Sequence, residues 1–164
     1  MLPPKPVLSL DMILLDQQAP GRDEAIDLVG QLLVGGGYVQ PAYVASMKAR
    51  ELTMSTYVGN GVAIPHGTFE DKTLILSTGV AVAQFPHGVN WDGSNVAHLV
   101  VGIAAIREEH IGVLANLARV LEDEAVSKTL WNTASPADVY ETLGRPWQEA
   151  PDPAPSSRGE GEKD

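Results

Sequence analysis

Gly61-Val62-Ala63-Ile64-Pro65-His66-Gly67 carries a short apolar run directly into a single histidine. The small apolar residues suit the end of a buried strand, and Pro65 fixes its own φ and favours an extended Ile64. His66 should therefore emerge just past the carboxyl end of that strand, where open α/β sheets usually build their sites. Gly67 has no Cβ, so its backbone can take a positive φ or let a bulky anion approach the imidazole ring.

The composition restricts the classes of function. The chain has 164 residues, of which 44% are hydrophobic, which is typical of one domain with a substantial core. It has no cysteine, which excludes disulfide scaffolds, thiol catalysis and cysteine-based zinc sites. The 21 acidic side chains outnumber the 11 basic ones, and the net charge of −10 argues against a nucleic-acid partner. We find no signal-peptide core and no apolar run of the roughly 20 residues that span a membrane. A cytoplasmic protein without direct membrane insertion is therefore expected.

Both ends of the sequence differ from its middle. Residues 1–9 are rich in proline, and residues 145–164 combine proline with serine, glycine and charged residues. Such segments bury too little apolar surface to fold alone. We therefore expect a flexible N-terminus over residues 1–9, one folded domain over residues 10–144 and a disordered polar tail over residues 145–164.

Within the predicted domain, helical and strand patterns alternate. Apolar residues recur at helical spacing in three segments, the first with a stripe of Ile26, Val29 and Leu33. These segments run from Asp23 to Val34, from Pro41 to about Arg50 and from Glu108 to Leu121. Asp123 is suited to cap another helix that runs through Trp131, and Ser135-Pro136-Ala137-Asp138 opens a last one that Gly144 closes. Two β-rich runs, Ser77 to Phe85 and Val96 to Ala105, predict strands, with a turn at Pro86-His87-Gly88. The alternation predicts a three-layer α/β/α domain.

The other histidines differ in their context. His98 lies inside an apolar run, where a hydrogen-bonded structural histidine is expected, and His87 lies in the predicted surface turn. His110 follows Arg107-Glu108-Glu109 where a helix is predicted to begin, and helix N-termini attract anions. A solvent-exposed histidine in the first turn is the other interpretation of His110.

Two other kinds of site receive little support. A metal held by His66 and His110 would need further ligands, and no His-x-x-x-His or His-Glu-x-x-His pattern occurs. No Gly-x-Ser-x-Gly elbow is present for a serine nucleophile. We therefore expect no metal and no cofactor, and we expect His66 itself to be the reacting group.

Three stretches together resemble the enzyme IIA domain of the mannitol/fructose class of the bacterial sugar phosphotransferase system. They are the segment from Gly61 to Gly67 with the preceding Leu52-Thr53-Met54-Ser55-Thr56-Tyr57-Val58-Gly59, the run from Leu99 to Ala105, and Glu109-His110. The resemblance covers about Asp23 to Gly144. A histidine that opens the helix after the second run makes the chain most similar to the mannitol branch of the family. The resemblance implies one α/β domain with a central mixed sheet flanked by helices.

The resemblance also implies site residues and partners. His66 matches the histidine that accepts a phosphoryl group, while His110 and Arg50 match the family's second histidine and its active-site arginine. The donor would be the phosphohistidine of the small carrier HPr, and the acceptor would be a cysteine on a mannitol-type IIB component of a membrane permease. A neutral imidazole with histidine's usual pKa is available for this attack at cytosolic pH.

Because the sequence ends in a polar tail after Gly144, we expect a free-standing IIA protein that supports mannitol-like sugar uptake. Two alternatives to this function remain within the same fold. A nitrogen-type relative would be regulatory, responding to its phosphorylation state through protein contacts. A non-catalytic interaction domain of this fold would not be phosphorylated at all.

Overall fold

Strands alternate with helices along the part of the chain that can be described. The computed structural model describes residues 5–106 and 110–149, except for the side chains of residues 110–114 and 145–149. Its elements are β1 (Ile13–Leu14), α1 (Arg22–Gly35), α2 (Tyr43–Thr53), β2 (Tyr57–Gly59), β3 (Val62–Ala63), β4 (Gly79–Asp92), β5 (Asn95–Ala104), α3 (His110–Leu121), α4 (Glu124–Asn132) and α5 (Pro136–Glu149). Two 3-10 helices span Leu10–Met12 and Phe69–Leu74.

The described strands form one five-stranded sheet in the order β1-β4-β5-β3-β2. β4 and β5 pair antiparallel at its centre, while β1 lies parallel to β4 and β3 lies parallel to β5. The sheet is therefore mixed, as the resemblance implied. Because β3 and β5 are parallel, their carboxyl ends meet at one edge of the sheet, and the residues that follow β3 emerge there.

Helices cover both faces of this sheet. A Cβ built on Gly102 of β5 would lie 2.8 Å from a Val29 methyl of α1 and 3.4 Å from Cε of Met47 in α2. On β4, Gln84 belongs to the opposite face, because it is three residues from Ala81, the partner of Gly102. Its side chain donates to the Leu130 carbonyl of α4 at 2.9 Å. The predicted three-layer α/β/α arrangement is confirmed.

The core lies where α1 and α2 meet the two central strands. The predicted apolar stripe of α1, formed by Ile26, Val29 and Leu33, is fully buried. Strands covered on both faces are expected to be apolar along their whole length. The central strands follow this rule, since Val80 to Ala83 and Leu99 to Val101 have no exposed surface. Each such buried side chain of valine size or larger contributes about 1.5 to 3 kcal/mol.

Local signals explain where several helices begin and end. The Asp123 carboxylate accepts hydrogen bonds from the backbone amides of Ala125 and Val126, so it caps α4 as predicted. After α1 the chain turns at Gly37, whose φ of +81° is accessible to glycine at low cost. The predicted helix start at Pro41 is wrong by two residues: Pro41 lies in a turn, and α2 begins at Tyr43.

The predicted turn at Pro86-His87-Gly88 is also wrong. β4 continues through these residues to Asp92, and its pairing with β5 shifts register there. A bulge of this kind accommodates a proline, which has no amide for the ladder, and a glycine, here Gly88 with φ +83°. The chain reverses instead at Gly93-Ser94, and Gly93 has φ +58°. The exposed His87 therefore belongs to a bulged strand rather than to a turn.

Two boundaries of the folded region differ from the expectation. Packing begins before Leu10, because Leu8 is only 3% exposed and the Val7 carbonyl accepts a hydrogen bond from the Val80 amide at 2.8 Å. Helix α5 passes through Gly144, the predicted helix end, and continues to Glu149. Gly144 does not have the positive φ by which a glycine usually terminates a helix.

Candidate functional site

His66 lies three residues past the end of β3, at the edge of the sheet where the parallel strands β3 and β5 end. Val62 and Ala63 are fully buried, and the extended path continues, because the Ile103 amide of β5 donates to the Pro65 carbonyl at 2.9 Å. His66 itself pairs with Ile103 in an isolated parallel bridge. The predicted delivery of the histidine from a buried strand onto a loop is confirmed.

The backbone defines the chemical state of the His66 ring. Its Nδ1 atom lies 2.9 Å from the carbonyl oxygen of Ile64, and the ring is half-buried. A carbonyl oxygen only accepts hydrogen bonds, so Nδ1 must carry the proton and donate it. In the neutral ring the nucleophilic lone pair is then on Nε2.

His66 opens onto a depression of about 350 Å³ beside α2. Its described wall is mostly apolar and includes two cationic side chains, Arg50 and Lys72, but no described carboxylate. The described residues that line it are Tyr43, Arg50, His66, Gly67, Thr68, Phe69, Lys72, Ile75, Ile103 and Ala105. In a chain of net charge −10, the described lining carries two positive charges and is partly apolar, which suits an anion, while the Asp71 carboxylate behind it accepts a hydrogen bond from Thr68 at 3.0 Å.

Arg50 reaches the depression from the last turn of α2. Its Nη1 atom donates to the carbonyl of Met54 at 2.6 Å, which fixes the side chain at the end of its own helix. A guanidinium has five N–H groups, so this contact leaves donors for an anion. The structure thus brings Arg50 and His66, two of the three predicted site residues, to one depression.

His110, the third predicted site residue, is the first described residue of α3 and lies within the predicted helix. Its side chain lies outside the described residues, as do Arg107, Glu108 and Glu109, so its predicted place beside His66 stays a prediction.

Lys72 was missed by the sequence analysis, which weighed only histidines and one arginine. It lies on the 3-10 helix Phe69–Leu74, with its Nζ atom 3.9 Å from the centre of the Phe69 ring. This cation–π contact holds an exposed charge at the rim of the depression. Its sequence signal was weak: a single lysine follows Glu70-Asp71 shortly after the Pro-His-Gly motif.

The loop after His66 is held by hydroxyl groups of α2. The Gly67 amide donates to the Tyr43 hydroxyl, and the Thr68 amide donates to the Ser46 hydroxyl, both at 2.9 Å. These two amides are therefore not directed at the depression, and positive charge for an anion must come from side chains. Gly67 does not adopt the positive φ that its lack of a Cβ would allow. A Cβ at Gly67 would instead lie 2.5 Å from the Tyr43 ring, so a glycine is required by packing.

Glu51, next to Arg50, is held away from the site. Its side chain is buried and accepts hydrogen bonds from the amide and hydroxyl of Thr56, each at 2.7 Å, and from the Trp91 indole at 2.9 Å. A buried carboxylate is stable only with such partners. The arrangement anchors the end of α2 to β4 and keeps the negative charge of Glu51 away from the described wall of the depression.

The remaining histidines have structural or surface positions. The His98 ring stacks on Trp131 with a centroid separation of 4.1 Å, and its Nδ1 lies 3.2 Å from the carbonyls of Phe85 and Pro86. The prediction of a hydrogen-bonded structural histidine is confirmed. His87 is exposed on the bulged part of β4, away from the residues that line the depression.

Two kinds of feature are absent from the described residues, which lie in the ranges 5–106 and 110–149. No three histidine, aspartate or glutamate side chains there are grouped so that they could hold a metal ion. No helix in the same ranges combines the length and the apolar character that crossing a membrane requires.

Known proteins resemble this chain in both sequence and structure. It is 44% identical over 138 residues to the mannitol-specific EIICBA component of the phosphotransferase system from Escherichia coli (strain K12), a match that covers 83% of this chain and 22% of that protein. It is 46% identical over 136 residues to a multiphosphoryl transfer protein of Escherichia coli O157:H7, covering 83% of this chain and 36% of that protein. The chain thus spans well under half the length of both relatives.

Among solved structures, the fold matches a complex of enzyme IIAMTL and phosphorylated enzyme IIBMTL from Escherichia coli. The TM-score is 0.79 at 43% sequence identity, and the match covers 83% of this chain and 96% of the matched one. The model of the family described as "Phosphoenolpyruvate-dependent sugar phosphotransferase system, EIIA 2" matches residues 6–145. With the strand-to-histidine geometry, these matches show that the chain belongs to the EIIA 2 family of the phosphoenolpyruvate-dependent sugar phosphotransferase system.

Proposed function

We propose that this chain carries a phosphoryl group on Nε2 of His66, accepting it from HPr and passing it to a cysteine of a mannitol-type IIB component. The observation that supports this most is the position of His66 in one depression with Arg50 and Lys72, with Nδ1 directed at the Ile64 carbonyl. The family supports the phosphotransferase role. The matched complex with phosphorylated IIBMTL supports a IIB partner.

In the first step, the Nε2 lone pair of His66 attacks the phosphorus of phospho-HPr. The new Nε2–P bond forms while the P–N bond to the donor breaks, and its electron pair returns to the imidazole of HPr. The His66 ring gains positive character as the bond forms, and the Ile64 carbonyl stabilises this charge because it accepts a hydrogen bond from the Nδ1–H group. The backbone thus presents the nucleophile without a separate general base.

In the second step, a cysteine thiolate of IIB attacks the same phosphorus. A P–S bond forms, the P–Nε2 bond breaks, and its electron pair returns to the His66 ring. This chain needs no cysteine of its own for that exchange, and it contains none. The thiolate rather than the thiol is the nucleophile, so its activation belongs to the partner.

Both steps depend on positive groups around the phosphoryl oxygens. A phosphoryl group in transfer spreads its charge over three equatorial oxygens, and catalysis is mainly alignment and electrostatic stabilisation. Arg50 and His110 are proposed to supply this charge, and Lys72 adds a third cation at the rim. Each such contact is worth about 1 to 4 kcal/mol in the transition state.

The proposed setting is the cytoplasm, where HPr and the IIB component of a permease reach the same histidine in turn. Two successive partners require an interface that forms and dissociates readily. The site is open enough for this exchange, because Phe69 on its rim is 67% exposed.

Incubation with phosphoenolpyruvate, enzyme I and HPr, followed by intact-mass measurement, tests the proposal. One acid-labile, base-stable phosphoryl group is expected. His66→Ala should abolish the gain in mass while the variant stays folded. His87→Ala, which removes an exposed histidine from β4, is the matched control and should keep full labelling.

Full labelling of the His66→Ala variant would contradict the proposed acceptor. A purified mannitol-type IIB component then tests the second step. Labelled chain that passes no phosphoryl group to this cysteine would favour the regulatory alternative, and a chain that is never labelled would favour the non-catalytic one.

A further inference from the structure

The hydroxyl of Tyr43 is inserted between two parallel strand ends beside His66. The Ile103 amide donates to the Pro65 carbonyl at 2.9 Å, as in a parallel ladder. In a regular ladder the next bond would run from the Gly67 amide to the Ile103 carbonyl. Instead, the Tyr43 hydroxyl accepts from the Gly67 amide at 2.9 Å and donates to the Ile103 carbonyl at 2.9 Å. One hydroxyl thus bridges the site loop and β5.

The tyrosine of this bridge is buried. Tyr43 is 2% exposed, and burial raises the pKa of its hydroxyl to about 12, so the group remains a proton donor at neutral pH. The partly buried Gly67 amide and the buried Ile103 carbonyl each need a hydrogen-bond partner, and the Tyr43 hydroxyl serves both. The Tyr43 ring also occupies the space where a Cβ of Gly67 would lie, 2.5 Å away. The loop therefore rests directly on the ring.

The helix that supplies this bridge also supplies the arginine of the site. Tyr43, Ser46 and Arg50 are spaced three and four residues apart, which places them on one side of α2. Ser46 holds the next amide of the loop, that of Thr68, and Arg50 lines the depression. Contacts made by one helix face therefore set the separation between the loop that carries His66 and the guanidinium.

We propose that Tyr43 is a positioning residue for phosphoryl transfer, whose hydroxyl spaces the His66 loop from β5 and so aligns His66 with Arg50. This inference rests on the proposed function. Without the hydroxyl, the Gly67 amide would bond the Ile103 carbonyl directly, and the loop would move toward β5. Transfer is sensitive to such a shift, since a misplacement of about 1 Å costs about 100-fold in rate.

The test is single-turnover transfer from phospho-HPr to the Tyr43→Phe variant over a range of HPr concentrations. We expect the limiting rate to fall by about tenfold to 100-fold, because alignment in the complex is lost. The concentration at half-saturation should change by less than about twofold, because the docking surface is unaltered.

Tyr38→Phe is the matched control. Tyr38 is 4% exposed, and its hydroxyl donates to the Pro6 carbonyl at 2.7 Å, so this variant also loses one hydrogen bond of a buried tyrosine to a backbone carbonyl. Tyr38 does not line the depression. Its variant should lose stability to urea and keep the parent transfer rate.

Equal limiting rates for the Tyr43→Phe and Tyr38→Phe variants would overturn the inference while leaving the proposed function intact. A parent chain that takes no phosphoryl group at His66 would overturn both. If Tyr43→Phe does not fold, the parent protein still provides a test by NMR. A slowly exchanging Tyr43 hydroxyl proton with a nuclear Overhauser effect to the Gly67 amide is expected, and its absence would overturn the bridge.

Discussion

The Nδ1 atom of His66 lies 2.9 Å from the carbonyl oxygen of Ile64, two residues earlier on the same extended segment. In hydrolase triads a buried carboxylate orients the histidine and holds it in one tautomer. Here a backbone carbonyl does so, and it adds no negative charge next to the proposed phosphoryl acceptor. The orientation is as rigid as the strand end that supplies it, because Pro65 is buried and bonded to β5.

Removal of the site cations should slow transfer and leave docking unchanged. Arg50→Ala and His110→Ala are each expected to reduce the single-turnover rate by about tenfold to 1000-fold, because the proposed contacts act in the transition state. Rapid-quench measurement gives the rate, and titration with HPr gives the affinity.

Arg22→Ala is the control for Arg50→Ala, because Arg22 also donates to a backbone carbonyl, that of Trp91, but does not line the depression. It should transfer at the parent rate. If Arg50→Ala and His110→Ala both matched the parent, the site would reduce to His66 alone.

Lys72 should contribute to the capture of the anion. Lys72→Met is expected to slow transfer by about threefold to 30-fold, less than Arg50→Ala, because an exposed ammonium is better screened by solvent. Lys48→Met is the matched control, since Lys48 pairs with Asp27 at 2.8 Å between α2 and α1. Equal transfer rates for the two variants would show that Lys72 has no part in the reaction.

The docking surface should be the apolar rim around His66. Two apolar side chains there are each 67% exposed. Phe69 lines the depression, and Met54 is the residue whose carbonyl accepts the hydrogen bond from Arg50. Chemical-shift mapping with HPr should centre on them, and Phe69→Ser should weaken binding, whereas Leu10→Ser near β1 should not.

The acidic remainder of the surface should steer a positively charged partner face, so the affinity should fall as salt is added. Chemical-shift changes centred away from His66 would contradict the proposed docking surface. An affinity that does not change with salt would contradict the electrostatic steering.

Tyr43 should make the fold sensitive to alkaline pH. Burial raises its pKa from 10.0 to about 12, so between these values the unfolded chain loses a proton that the folded chain keeps. The free energy of unfolding should be insensitive to this group below the lower value. The free energy of unfolding should then fall by roughly 2 to 3 kcal/mol as the pH rises from 10.0 to about 12. Urea unfolding of parent and Tyr43→Phe across this range measures the difference. An equal decline in both proteins would show that Tyr43 titrates alike in the folded and unfolded states.

Periodicity predicted the elements that bury a continuous apolar face. The α1 stripe of Ile26, Val29 and Leu33 and the capping role of Asp123 were both recognisable, because each depends on residues close in sequence. The β4 bulge was not, because Pro86-His87-Gly88 has the composition of a turn and only its pairing with β5 keeps it extended. Tertiary contacts overrode the local preference there.

The same limit applies to the site. The position of His66 followed from the apolar run and Pro65, and family resemblance added Arg50. Tyr43 and Ser46 were missed because an isolated sequence does not reveal which hydroxyls reach the backbone of a distant loop. Gly67 was given a conformational explanation, whereas the structure gives it a packing one, contact with the Tyr43 ring.

Nitrogen-resolved NMR of the phosphorylated chain is the sharpest test of His66 as the acceptor, because it identifies the atom that carries the phosphoryl group. The chain is prepared with isotope-labelled histidine, phosphorylated through enzyme I and HPr, and compared with the His66→Ala variant. We expect phosphorus–nitrogen coupling at Nε2 of His66, with Nδ1 still protonated and donating to the Ile64 carbonyl. Coupling at Nδ1 of His66, or at His87, His98 or His110, would contradict it.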